Sequence, residues 1–152
     1  MKVMNKIILF FSSVAGLGYI KYAPGTFSSL AGILLWVLFA PNHYIFQIFI
    51  LFITFIIAVL FSSLAEDIYN KKDDQRIVID ELVGVWFSVA FLPKTFIFLF
   101  LGFILFRISD IKKLLFIKQV QQIKGGLGVT VDDIIAGIFA NIILQALRLI
   151  IH

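Results

Sequence analysis

Five long apolar runs, at residues 27–40, 44–64, 77–92, 96–108 and 129–151, leave this chain few ways to fold. Only the second and fifth approach the roughly 20 residues that a helix needs to cross the hydrocarbon core of a bilayer. The runs are long and do not alternate with period two, so helix is expected over strand. The third and fourth are shorter and meet at Pro93-Lys94, which reads as the tip of a helical hairpin. Pro41-Asn42 closes the first two runs in the same way. The expected fold is all-α: a multi-helical, membrane-embedded bundle with a short central hairpin, built as a single domain over residues 1–152. Composition agrees, because charged residues make up 14% of the chain against about 25% in ordinary soluble domains. The 18 phenylalanines suit lipid-facing surfaces better than a small aqueous core.

Threading the helices up and down places the loops at 16–26, 66–76 and 111–128 on one side. That side holds Lys21, Lys71, Lys72, Arg76, Lys112, Lys113, Lys118 and Lys124, against Lys94 and Arg148 on the other. The positive-inside rule makes the first side cytoplasmic. All the acidic residues fall there too, so a site built from them faces the cytoplasm. Met1 to Ala15 imitates a short signal peptide, with Lys2 and Lys6 ahead of Ile7 to Phe11 and a small-residue stretch. Its apolar part is short, and an interfacial helix packed on the domain is the expectation. A net charge of +4 is spread through loops and not gathered on a soluble face, so no nucleic-acid partner is expected.

Five of the nine acidic residues sit in three clusters at the ends of apolar runs: Asp80-Glu81, Asp110 with Arg107 one turn before it, and Asp132-Asp133. A carboxylate near a bilayer costs roughly 2.5–3.5 kcal/mol unless it is compensated. Carboxylates that converge repel one another, so a cation is the natural shared partner. The chain has no cysteine, and its two histidines stand at a turn and at the end of the sequence, which leaves oxygen ligands. Such a set selects a hard ion such as Mg²⁺ over zinc. Mg²⁺ usually keeps waters and binds a substrate phosphate, and Arg107 and Lys113 offer cations beside the carboxylates. Two plainer readings stay open: acid pairs at a helix start complement its dipole, and Arg107 simply pairs with Asp110. In the first loop, Thr26 has the chemistry of an N-cap, and the amides of that turn suit either a phosphate or an ordinary helix start.

An internal echo links Val78-Ile79-Asp80-Glu81-Leu82-Val83-Gly84 to Val131-Asp132-Asp133-Ile134-Ile135-Ala136-Gly137. Each has acids followed by a glycine about a turn later, which would let two helices cross just below their carboxylates. Without cysteine or a site histidine, the remaining phosphoryl chemistry is attack on phosphorus by water or by a carboxylate.

The chain resembles the phosphatidylglycerophosphatase A family along nearly its whole length. The matching motifs are G-L-G at 16–18, A-P-G-T at 23–26, I-V-I-D-E-L-V-G-V-W at 77–86, F-R-I-S-D at 106–110 and G-G-L-G-V-T-V-D-D-I-I-A-G at 125–137. The resemblance implies an all-helical fold and Mg²⁺-dependent removal of the terminal phosphate of phosphatidylglycerophosphate. Phosphatidylglycerol would form at the cytoplasmic leaflet of a bacterial inner membrane. It further implies that Asp80, Glu81, Asp110, Asp132 and Asp133 are the catalytic carboxylates, with Asp80, Glu81, Asp132 and Asp133 as metal ligands. Arg107, Lys113, Thr26 and Asp73 would serve the substrate phosphate. Leu114 and Phe116 depart from a family K-P-x-P stretch, and Ser28 stands where a glycine is common. The rival from another class is a membrane cation-binding or transport protein using the same carboxylates. A lipid-headgroup phosphotransferase would need a D-G-x-x-A-R element that the chain lacks. Two short central helices would gain from a neighbour, so a homo-oligomer is a further expectation.

Overall fold

The computed structural model describes residues 2–112 and 125–151. The described elements are α1 (Lys2–Ser12), a 3₁₀ turn (Leu17–Tyr19), α2 (Pro24–Phe39), α3 (Tyr44–Tyr69), α4 (Ile79–Val89), α5 (Phe96–Lys112) and α6 (Gly126–Ile151). No strand occurs among the described residues. The all-α expectation holds, and two of these helices are long and apolar enough to cross a membrane. They are α3 and α6, with 26 residues each. Most of α3 faces outward, with Phe46, Phe49 and Phe52 exposed, the pattern of a helix solvated by lipid.

The short helix α4 is the centre of the bundle. All its residues except Glu81 and Phe87 are buried, and α2, α3, α5 and α6 surround it. Small residues set these approaches. A Cβ on Gly32 of α2 would stand 2.7 Å from Val85, and the Trp86 indole donates to the Gly32 carbonyl at 2.8 Å. Gly102 of α5 faces Val89, and Gly137 of α6 lies against the carbonyl of Gly84. The echoed glycines therefore meet each other, and α4 and α6 cross there as the repeat suggested.

The central hairpin is present, with α4 and α5 packed together on either side of Pro93-Lys94. The first hairpin differs from expectation. Pro41-Asn42 does join α2 to α3, but the two helices scarcely touch, because α4 lies between them and both pack on it.

Loops from distant parts of the sequence share one end of the bundle. The Val78 amide donates to the Ser12 carbonyl at 2.9 Å, and the Tyr19 and Tyr69 hydroxyls are 2.8 Å apart. Arg76 lies over the Tyr69 ring at 3.7 Å. At the other end, Lys94 reaches the Ala40 carbonyl at 2.5 Å, and Arg148 reaches that of Phe91 at 3.3 Å. The up-and-down threading read from the sequence thus holds for the described residues. The N-terminal segment is helix α1, packed against α3, with Val3, Met4, Ile7, Phe10 and Phe11 turned outward.

Candidate active site

Asp80 and Glu81 stand in the first turn of α4, directly after a segment held in place from two sides. Val78 gives its amide to Ser12, and its carbonyl accepts the buried hydroxyl of Ser28 at 2.5 Å. On α6, Asp133 sits one turn before Gly137, where the crossing brings the helix axes close. Its Cβ is already 2.9 Å from the place a Cβ on Gly84 would take. Ligand oxygens of Asp80, Glu81 and Asp133 consequently all lie within 4.8 Å of one another.

These carboxylates are costly where they are. Asp80 Oδ1, Glu81 Oε2 and Asp133 Oδ2 are buried and make no hydrogen bond. Burial pushes Asp80 up to about 6. It raises Glu81 well above the usual carboxylate range, and the neighbouring Asp80 and Asp133 charges add to that. Ionised carboxylates stripped of water cost several kcal/mol each unless an opposite charge meets them. A hard cation fits this set: three oxygen donors, open lone pairs, and no nitrogen or sulfur ligand in the group.

Two further elements wall the site. Arg107 of α5 donates from Nη1 to Asp110 Oδ2 at 2.8 Å, while its buried Nε has no partner. The first turn of α2 closes on the same place. A Cβ on Gly25 would strike the Glu81 carboxylate and come within 3.2 Å of Arg107 Nη1. A lone anionic cluster would repel a phosphate. With a guanidinium beside it and room for a cation within it, the same cluster suits one.

The family model for phosphatidylglycerophosphatase A matches residues 10–148. The chain belongs to the phosphatidylglycerophosphatase A family. It is accordingly a phosphatase, a hydrolase acting on a lipid phosphate. A protein of Bacteroides thetaiotaomicron described as a "Putative phosphatidylinositol-3-phosphatase" is 33% identical over 145 residues, covering 90% of each chain. The phosphatidylglycerophosphatase A of Haemophilus influenzae is 32% identical, covering 88% of this chain and 83% of its own. That of Escherichia coli K12 is 34% identical, covering 82% and 74%. No solved structure matches the chain.

Within this family member, the residues picked out from sequence fall at different depths. Asp80, Glu81 and Asp133 form the convergent group. Asp132 is buried beside Asp133 on α6, but its carboxylate is not one of the three that come together. The dipole reading of Asp132-Asp133 does not survive, because α6 begins at Gly126 and its first turn holds no acid. Asp110 pairs with Arg107, as the plain alternative held, and both lie within electrostatic reach of Asp133. Thr26 is half-buried and is not the N-cap of α2. That place belongs to Ala23 in a left-handed conformation, φ 49°, with Pro24 as the first helical residue. Asp73 is exposed on the turn before α4 and adds its charge to the field at Asp80. Lys113 lies outside the described residues.

Glu66 and Ser28 belong to the supporting structure, and the sequence reading gave neither a role. Glu66 is buried near the end of α3, where Oε1 accepts the Asp73 amide at 2.7 Å and fixes the turn leading to Asp80. An acid at a helix C-terminus opposes the dipole, and here the Asp73 amide answers the carboxylate.

Proposed function

We propose that this phosphatase removes the terminal phosphate of phosphatidylglycerophosphate in a Mg²⁺-dependent reaction at the cytoplasmic leaflet, with the whole chain acting as one catalytic domain. The observation that favours it most is the meeting of Asp80, Glu81 and Asp133 beside Arg107 in a helical bundle of this family. In this reading those three carboxylates are the ligands of Mg²⁺, with Asp132 next to them. Bound Mg²⁺ would neutralise phosphate oxygens and make a bound water more acidic.

The chain's own groups do the rest. Arg107 directs its remaining N–H groups at the phosphate, and its bond to Asp110 holds the guanidinium plane. Gly25 lets the first turn of α2 approach Glu81 and Arg107, and Thr26 follows in that turn as a phosphate neighbour. Lys113 supplies a second cation, and Asp73 shapes the field on Asp80. One carboxylate takes the proton of the attacking water as the phosphorus–oxygen bond to the glycerol breaks. The departing alkoxide takes up a proton, giving phosphatidylglycerol and inorganic phosphate. The acyl chains stay in the bilayer, so only the headgroup enters.

The Bacteroides relative's description supports a second reading, in which the lipid is phosphatidylinositol 3-phosphate. Phosphate release from each lipid in mixed micelles, with Mg²⁺ or with chelator, separates the two. Release from phosphatidylglycerophosphate at least tenfold faster, and lost on chelation, is expected. Faster release from the inositol lipid would replace the proposed substrate.

A further inference from the structure

Two neighbouring cavities share Phe91 in their walls, at the end of the bundle away from the carboxylates. One is an apolar groove of about 430 Å³ between α3, α4 and α6, lined by residues such as Leu51, Phe55, Phe87 and Ile138. The other is a polar pocket of about 250 Å³ lined by Gln47, Phe91, Lys94 and Arg148, among others. Phe91 lines both. Its backbone is fixed at φ 63°: the amide donates to buried Gln47 Oε1 at 2.8 Å, and the carbonyl accepts from Arg148. Asn141, a groove residue, ties α6 to the end of α4 through the carbonyls of Ser88 and Ala90.

Lys94 and Arg148 are half-buried, and each spends one donor on a backbone carbonyl. No salt bridge of the described residues reaches either cation. An ammonium and a guanidinium lining a pocket that shares its Phe91 wall with an apolar groove match one chemistry: a phosphate attached to a hydrocarbon chain. A free anion would leave the groove unfilled, and a neutral lipid would leave the cations unanswered. Basic pockets between membrane helices recognise anionic headgroups in this way.

We propose that this double cavity binds one anionic phospholipid of the leaflet opposite the carboxylates, its phosphate at Lys94 and Arg148 and one acyl chain in the groove. The site is separate from the catalytic carboxylates, since it lies at the far end of α4. It does not depend on which lipid phosphate the enzyme hydrolyses.

The test is native mass spectrometry of the full chain in neutral detergent with equal phosphatidylglycerol and phosphatidylcholine of identical acyl chains. A cation at a membrane surface favours an anionic lipid by roughly fivefold, so the pair predicts a preference of up to roughly thirtyfold. The double variant Lys94→Gln/Arg148→Gln should lose that preference while phosphatase activity persists. Ile138→Trp, which fills the groove and leaves both cations, should lose the bound lipid of either kind. Equal retention of both lipids by the wild type would overturn the proposal. So would a preference that the double variant keeps, because the lipid would then sit elsewhere, or lipid-free dimers with this face covered.

Discussion

At Asp80 the direction of the pH response follows from burial. Its folded pKa is about 6 against an ordinary 3.8, so between these values the folded protein binds more protons than the unfolded chain. Without a cation, stability therefore falls as pH rises through that window and stays lower above it. Added Mg²⁺ should raise the melting temperature little at pH 5 and clearly at pH 8, as read by thermal unfolding in detergent. Equal stabilisation at both would contradict a carboxylate cation site. Asp74 behaves in the opposite sense. Hydrogen bonds from Arg76 hold it down to about 2, so its contribution is present above about 3.8 and is lost only as pH falls toward 2. At this scale the sequence disclosed which acids matter as a class, because carboxylates are rare in so apolar a chain. It could not say that Asp133 would point into the shared site while Asp132 stays outside the group, since adjacent residues on a helix diverge by about 100°. Glu66 stayed hidden because its partner is a backbone amide seven residues away, which leaves no motif.

Among the elements, the crossing of α4 and α6 is the feature on which the site depends. A methyl group at Gly137 would press on the Gly84 carbonyl and the Phe87 Cβ, and backbone cannot move aside as a flexible side chain can. Gly137→Ala should cost about 1–3 kcal/mol of stability, as overpacking does, and should lower activity by separating Asp133 from Asp80. Thermal unfolding and phosphate release measured on one preparation check this. Gly25→Ala separates geometry from folding differently. Its new methyl meets the Glu81 carboxylate and Arg107 at the wall of the site, so activity should fall far more than stability. The glycine echo was legible as a crossing because small residues a turn below charged ones have few other uses in apolar helices. Helix starts were harder. Glycines 125, 126 and 128 read as loop, yet α6 begins at Gly126, which packs so closely on α3 that a Cβ there would meet the Ser63 amide nitrogen and the Val59 carbonyl. Tertiary packing overrides glycine's poor helix propensity at that point.

For the whole molecule, every described carboxylate side chain gathers at one end of the bundle, and Lys94 and Arg148 mark the other. That arrangement was readable from loop charges alone, because apolar helices joined by short turns were expected to alternate sides. The splaying of α2 from α3 was not, since it follows from α4 inserting between them through Gly32 and Trp86. The chain has no cysteine, so single substitutions report sidedness cleanly. In intact cells, Lys72→Cys should resist a membrane-impermeant thiol reagent and Thr95→Cys should react; the reverse pattern would invert the proposed orientation. The most direct measurement is phosphate release from phosphatidylglycerophosphate by purified wild type and Asp80→Asn, with Mg²⁺ and with chelator. Release that needs Mg²⁺ and falls by about 10²-fold or more in the folded variant is predicted for a carboxylate that takes part in the chemistry. Release that survives either chelation or the substitution would contradict a catalytic centre built where α4 crosses α6.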